Sequence, residues 1–240
     1  MDNGRMKFFI KFNLTEKYAD SLIEKGEIYT NCPRFYIYLN DYKNVKGIGD
    51  NNEGTILGII RKDSLLPMYC MYGVKENDII NHNGKSYIRI NKKAIDVFTT
   101  FNNTSFVIIN PKRFIFAVEE LRNLKKIDLR LDEICYTSLS IEQQINMITD
   151  KTARVLTTKT QEFAYQQEVR LIINDPFEQL HVDRKYDLVY FKDNKFRKYE
   201  GRKYYLGNMR EYALKFNKDD LLNISESYYG LDINLINEII

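Results

Sequence analysis

The chain has no tryptophan, two histidines, three cysteines and four prolines in 240 residues. Each scarcity removes a class of protein. Cys32, Cys70 and Cys135 are too far apart for a disulfide framework or a metal-ligand spacing, and they suit a reducing compartment. Two histidines, His82 and His181, are too few for a histidine-rich zinc site, so no metal site is expected. Four prolines and eleven glycines leave no collagen-like or linker-rich tract. No apolar run approaches the roughly 20 residues of a membrane span, and the opening MDNGRMKFFIKF lacks a signal-peptide core. The expectation is a cytoplasmic protein without membrane contact. No phosphate-binding loop is present, since Gly47-Ile48-Gly49 is too weak a pattern to count, and no nucleophile-elbow motif supports a Ser-His-Asp arrangement.

What remains is an ordinary globular balance. Hydrophobic residues make up 44% and charged residues 29%, which argues against disorder. A net charge of +3 is too small to point to nucleic acid by itself. The charge is uneven, though. Residues 184–203 hold Arg184, Lys185, Lys192, Lys195, Arg197, Lys198, Arg202 and Lys203 against Asp187, Asp193 and Glu200, with tyrosines interleaved. Such a segment can stack aromatics on bases while its cations meet phosphates, or it can be a solvated hairpin.

The apolar density of Lys7–Phe12 predicts a strand. Leu14, Tyr18, Leu22 and Ile23 then predict a helix, begun by Asn13 or Thr15 and ended by Gly26 in the left-handed conformation. Residues 43–54 form a polar loop containing Asp50 and Glu53. Thr55–Ile60 and Met68–Val74 read as strands, and Asn83-Gly84 as the turn of a hairpin between Asp78–Ile80 and Ser86–Ile90. Lys92–Phe101 reads as a helix and Ser105–Ile109 as a buried strand. Asn110-Pro111 starts a helix whose stripe is Phe114, Val118, Leu121 and Leu124. Ile134–Leu139 is a candidate strand, and Ser140 with Gln143 fits a capping box ahead of Ile141, Ile145 and Ile148. Glu168–Ile173 is a strong strand; Leu188–Phe191 and Tyr204–Leu206 are expected to flank the basic segment as a hairpin, and Tyr212–Phe216 is expected to close the fold. This order predicts one α+β domain over 1–240, a mixed or antiparallel sheet with covering helices.

Two stretches carry the chemistry. One is Phe9-Ile10-Lys11-Phe12 with its helix and Gly26-Glu27. The other is Tyr165-Gln166-Gln167-Glu168-Val169-Arg170. Alternation along a strand would set Gln166, Glu168 and Arg170 on one face. Buried charges need partners, so this row is a structural ion-pair set, Glu168 with Arg170 or Lys159, the polar wall of a cleft, or a row that simply faces water.

These two stretches resemble ADP-ribosyltransferase-like domains. There, a strand with a polar residue near its end leads through a helix to a glycine, and a Gln/Glu-x-Glu signature opens a later strand. Lys11 stands where that superfamily has the arginine or histidine that holds NAD, Gln166 and Glu168 match the signature, and Tyr136-Thr137-Ser138 is nearest to its middle motif. The resemblance implies NAD as cofactor, contacted by Lys11, Tyr136, Ser138 and Arg170. It implies Glu168 as the catalytic carboxylate supporting an oxocarbenium-like transition state, Gln166 orienting the acceptor, and a macromolecular target. Residues 7–173 also resemble an uncharacterised family of bacterial and phage proteins, carried by Asp50-x-x-Glu53-Gly54, Tyr69-Cys70-x-Tyr72 and Tyr165-Gln166-x-Glu168-x-Arg170. The alternative expectation is therefore a non-catalytic phage-type module that binds a host defence complex, with Lys192, Lys195, Arg197, Lys198, Arg202 and Lys203 as the contact to partner or nucleic acid.

Overall fold

Local signals set the first elements. β1 (Met6–Leu14) ends as Asn13 takes a positive φ of 63°, and Thr15 then caps α1 (Glu16–Lys25) by accepting from the Tyr18 amide. Gly26, at φ 61°, returns its N–H to Ser21 O and closes the helix. A computed structural model describes residues 6–33, 55–56, 59–60, 65–99, 104–138, 140, 143, 154–176, 180–183, 188–191 and 201–239. The loop with Asp50 and Glu53, and Ile141, Ile145 and Ile148, lie outside them.

β2 (Glu27–Thr30) follows α1, and a short pair, β3 (Thr55–Ile56) and β4 (Ile59–Ile60), occupies the expected Thr55–Ile60 strand. β5 (Met68–Lys75) leads to the hairpin of β6 (Ile79–His82) and β7 (Lys85–Asn91), turned at Asn83 and Gly84 with φ 52° and 77°. Two positive φ values in succession are what an Asn-Gly hairpin turn supplies at little cost. α2 (Lys92–Phe98) and β8 (Ser105–Ile109) come next.

Asn110 caps α3 (Pro111–Lys125). Its Oδ1 accepts from the Lys112 and Arg113 amides, and its Nδ2 donates to Ile239 O at 2.8 Å. Asn110→Ala is therefore expected to cost about 1–2 kcal/mol, read as a shift in the urea midpoint at unchanged slope. Phe114, Ala117, Val118 and Leu121 face inward, whereas Leu124 projects to solvent at 79% exposure.

β9 (Leu129–Glu133), β10 (Cys135–Tyr136), β11 (Thr158–Lys159) and β12 (Glu168–Ile173) bring the chain to the second chemical stretch. Then come β13 (Leu180–Asp183), β14 (Leu188–Phe191), β15 (Arg202–Tyr205), β16 (Ala213–Asn217), β17 (Leu222–Asn223) and β18 (Tyr228–Asp232). The expected hairpin around the basic segment does not form. β14 pairs with β13, and β15 pairs with β2 near the start of the chain. Both partners are good edge-forming strands, and a local pattern does not choose between a near and a distant one. β16 is not the last strand either, because β17 and β18 follow it.

The architecture is α+β with mostly antiparallel sheets. A six-stranded antiparallel sheet runs β16-β8-β1-β5-β12-β9, and a four-stranded sheet runs β17-β18-β7-β6. Alternation on β1 sends Phe9 to one core, with Leu22, Val107 and Phe114 under α1 and α3. It sends Phe8, Ile10 and Phe12 to the other, with Ile88, Ile90, Ile95 and Phe106 under α2 and β7. The central sheet is thus apolar on both faces. No helix among the described residues is long and apolar enough to cross a membrane.

Candidate functional site

The sheet opens where β1 meets β5. The two strands pair from Met6↔Lys75 to Ile10↔Tyr72 and no further. Beyond Ile10, β1 pairs with β8, through a register shift between Lys11 and Leu14. The opposite end of β5 pairs with β12, and its edge is taken by Asn31, which exchanges two backbone hydrogen bonds with Met68 at 3.3 and 2.8 Å. The left-handed Asn13 lies in this divergence, a conformation asparagine tolerates better than most residues. A cavity of about 120 Å³ occupies the split. Its walls are Ile10–Asn13 of β1, Cys70–Tyr72 of β5, Phe98 of α2, and Lys159, Gln166 and Glu168.

Register explains why these residues meet. Ile10, Tyr72 and Glu168 are cross-strand partners and share a face. Lys11, one residue on, leaves from the other face and stacks over the Tyr69 ring at 4.4 Å. In a continuous sheet Lys11 and Glu168 would be separated by the backbone. Through the split, the Lys11 ammonium reaches the edge of β5 and donates to Cys70 O at 2.8 Å. Burial lowers the Lys11 pKa below its ordinary 10.5, against the raising influence of Cys70 and Glu168.

Glu168 is held by a dense set of donors. Arg170 Nε donates to Oε1 at 2.6 Å, and Arg170 Nη2 and Lys159 Nζ donate to Oε2 at 3.1 and 2.7 Å. The Cys70 thiol adds a further hydrogen bond. Side-chain exposures are 4% for Lys159, 8% for Glu168 and 0% for Arg170. Burial pushes the Glu168 carboxyl up, yet Arg170 and Lys159 together hold it well below the usual carboxylate range. Arg170 is itself fixed from behind, donating Nη1 to Leu156 O at 2.7 Å.

Lys159 reaches this site because β11 pairs in parallel with β10, Lys159 opposite Tyr136. The Glu168 amide donates to Tyr136 Oη at 2.7 Å, which ties that short pair to the start of β12. Gln166 is not on the strand. It ends a 3₁₀ turn over Gln161–Gln166, and Gln167 follows at φ 39°. Its Oε1 accepts from Lys159 Nζ at 2.9 Å, and its Nε2 lies a long 3.5 Å from Tyr165 Oη.

Of the residues singled out in the sequence, Lys11, Gln166 and Glu168 line one cavity. Arg170 has no exposed surface and is not among the walls of this cavity; it anchors Glu168. Tyr136 supports the β12 backbone, and Ser138 is exposed and away from the cavity walls. Arg202 and Lys203 on β15 form ion pairs with Asp175 and Glu27, at 2.6 and 2.8 Å. Lys192, Lys195, Arg197 and Lys198 lie outside the described residues. Sequence reasoning missed Cys70, Phe12, Tyr72 and Phe98 as cavity walls. The one local signal was Asn13, a turn former inside an apolar strand.

Among the described residues no group of three or more histidine, cysteine, aspartate or glutamate side chains could hold a metal ion. Comparison with protein-family models, with curated proteins and with solved structures finds no match to this chain.

Proposed function

We propose that the chain is a non-catalytic binding module on an ADP-ribosyltransferase-like scaffold, with the split between β1 and β5 as its ligand cleft. The observation that carries this is the state of Glu168. A carboxylate that stabilises an oxocarbenium-like transition state must offer an oxygen and unbalanced negative charge to the sugar. Glu168 has both oxygens bonded to Arg170 and Lys159. Among the described residues, the basic groups at the site are Lys159 and Arg170 on this one carboxylate, with the Lys11 amino group beside them on Cys70 O. Such a set opposes the growth of positive charge on a ribose and the approach of the cationic nicotinamide ring of NAD. The residues therefore do not fit NAD cleavage. On β15, Arg202 and Lys203 are committed to Asp175 and Glu27, which leaves that strand little charge for nucleic acid.

One observation favours the transferase reading: Lys11, Gln166 and Glu168 line the same cavity, as transfer from NAD would require. Nicotinamide release from NAD separates the two, measured by chromatography with and without cell extract. The expected result is no release above the spontaneous rate. Release that Glu168→Asp abolishes in a protein that remains folded would overturn the proposal.

A further inference from the structure

The cleft is small, ringed by aromatics and rich in donors. Its volume of about 120 Å³ is on the scale of the roughly 150 Å³ apolar cavity that accepts benzene. It is well below the ~300–1,000 Å³ of drug-sized ligand pockets. Phe12 and Phe98 stack with their planes 9° apart and centroids at 5.8 Å, and Tyr72 meets Phe12 edge-on at 5.7 Å. All three residues border the cavity, so a flat ring finds flat walls.

The polar lining selects a charge sign. The oxygens of Glu168 are engaged by Arg170 and Lys159, so a cationic ligand meets an acceptor already satisfied. Gln166 turns its Oε1 to Lys159, and among the described residues the amide Nε2 has only the long contact to Tyr165. The Lys11 ammonium donates to a backbone carbonyl rather than a carboxylate, and the groups facing it are Cys70 and Tyr69 on β5 and Glu168 on β12. Two donors thus border a space whose surrounding charges, among the described residues, are net positive. A buried cation gains most from an anion placed beside it, because little water competes for either charge.

We infer that the cleft takes a single-ring aromatic carboxylate, its ring beside Phe12, Phe98 and Tyr72 and its carboxylate between Lys11 and Gln166. This rests on the cleft being a binding site, as proposed above. No bond is made or broken; the ligand is held by charge and stacking.

The test is calorimetric titration of the full chain with benzoate, benzamide and acetate, while the Met71 methyl is followed by NMR to locate binding. Benzamide keeps the shape of benzoate without its charge, and acetate keeps the charge without the ring. Benzoate is expected to bind about tenfold or more tighter than benzamide, the size of one charge-assisted hydrogen bond, to bind tighter than acetate, and to shift Met71. Lys11→Met is expected to remove the preference for benzoate, and Lys11→Gln serves if the first variant does not fold. Benzamide or acetate bound as tightly as benzoate would overturn the inference and leave the cleft a binding site. So would a preference that survives in either folded variant, or binding that leaves Met71 unmoved. No binding by any probe would overturn both this ligand class and the proposed cleft, whereas the nicotinamide-release assay judges the non-catalytic proposal alone.

Discussion

Glu168→Gln is expected to destabilise the protein by about 3–5 kcal/mol, the cost of removing one partner from a buried charge set. The substitution is nearly isosteric and leaves Lys159 and Arg170, 4% and 0% exposed, without their counter-charge. For a chain of this length the melting temperature should fall by roughly 10 °C. Replacing the set together tests whether charge, rather than shape, is responsible. Lys159→Met, Glu168→Leu and Arg170→Met combined should recover most of the loss, since a well-packed apolar substitute is often as stable as a buried ion pair. Equal destabilisation by the single and triple variants would mean that the charges are not the cause.

The same network sets an acid limit. Because the folded Glu168 carboxyl lies below its ordinary 4.5, its contribution is complete above that value. It declines as pH falls from 4.5 toward the depressed folded value, where the unfolded chain binds the proton and the folded chain does not. Wild-type stability should therefore drop over this acid range, and the triple variant should lack that part of the drop.

Gly26→Ala is the second large effect, expected at about 2–4 kcal/mol. Gly26 sits at φ 61°, where an L side chain costs about 1–2 kcal/mol. An added Cβ would also lie 2.5 Å from Gly207 O and 2.8 Å from the Leu206 backbone nitrogen. Those atoms are backbone and cannot rotate aside, and Leu206 N already donates to Gly26 O at 3.0 Å. Asparagine tolerates the left-handed region but brings the same Cβ. Gly26→Asn should therefore be nearly as damaging as Gly26→Ala. At Gly84, φ 77° with nothing within 4 Å of an added Cβ, Asn should cost under about 1 kcal/mol. Denaturant midpoints for the three variants separate crowding from backbone conformation. A mild Gly26→Asn would show that the close approach to Leu206 and Gly207 is not constraining.

What could be read in the sequence is what neighbouring residues decide. Gly26 ending α1, Asn83-Gly84 turning β6 into β7, and Asn110-Pro111 starting α3 all depend on a backbone conformation that those residues favour by themselves. The partnership of Glu168 with Arg170 and Lys159 was open to the same logic, since charges inside an apolar strand need counter-charges. Pairing between distant segments was not readable. β15 looks like one arm of a hairpin, and it joins β2 because Arg202–Tyr205 finds an edge formed far earlier in the chain. The cleft was hidden for a related reason. It exists where the pairing of β1 with β5 stops after Ile10, and the alternation of Phe8, Ile10 and Phe12 continues unchanged past that point. Strand alternation sets Gln166 on the face of Glu168, but the left-handed Gln167 turns it off the strand and into the cavity wall.

A carbon-13 NMR titration of the Glu168 side-chain carboxyl, from neutral pH into the acid transition, probes the locked carboxylate directly. The resonance should keep its ionised position at every pH at which the protein remains folded. A titration midpoint at or above the ordinary 4.5 would show a carboxylate released from Arg170 and Lys159, and with it a group able to serve catalysis.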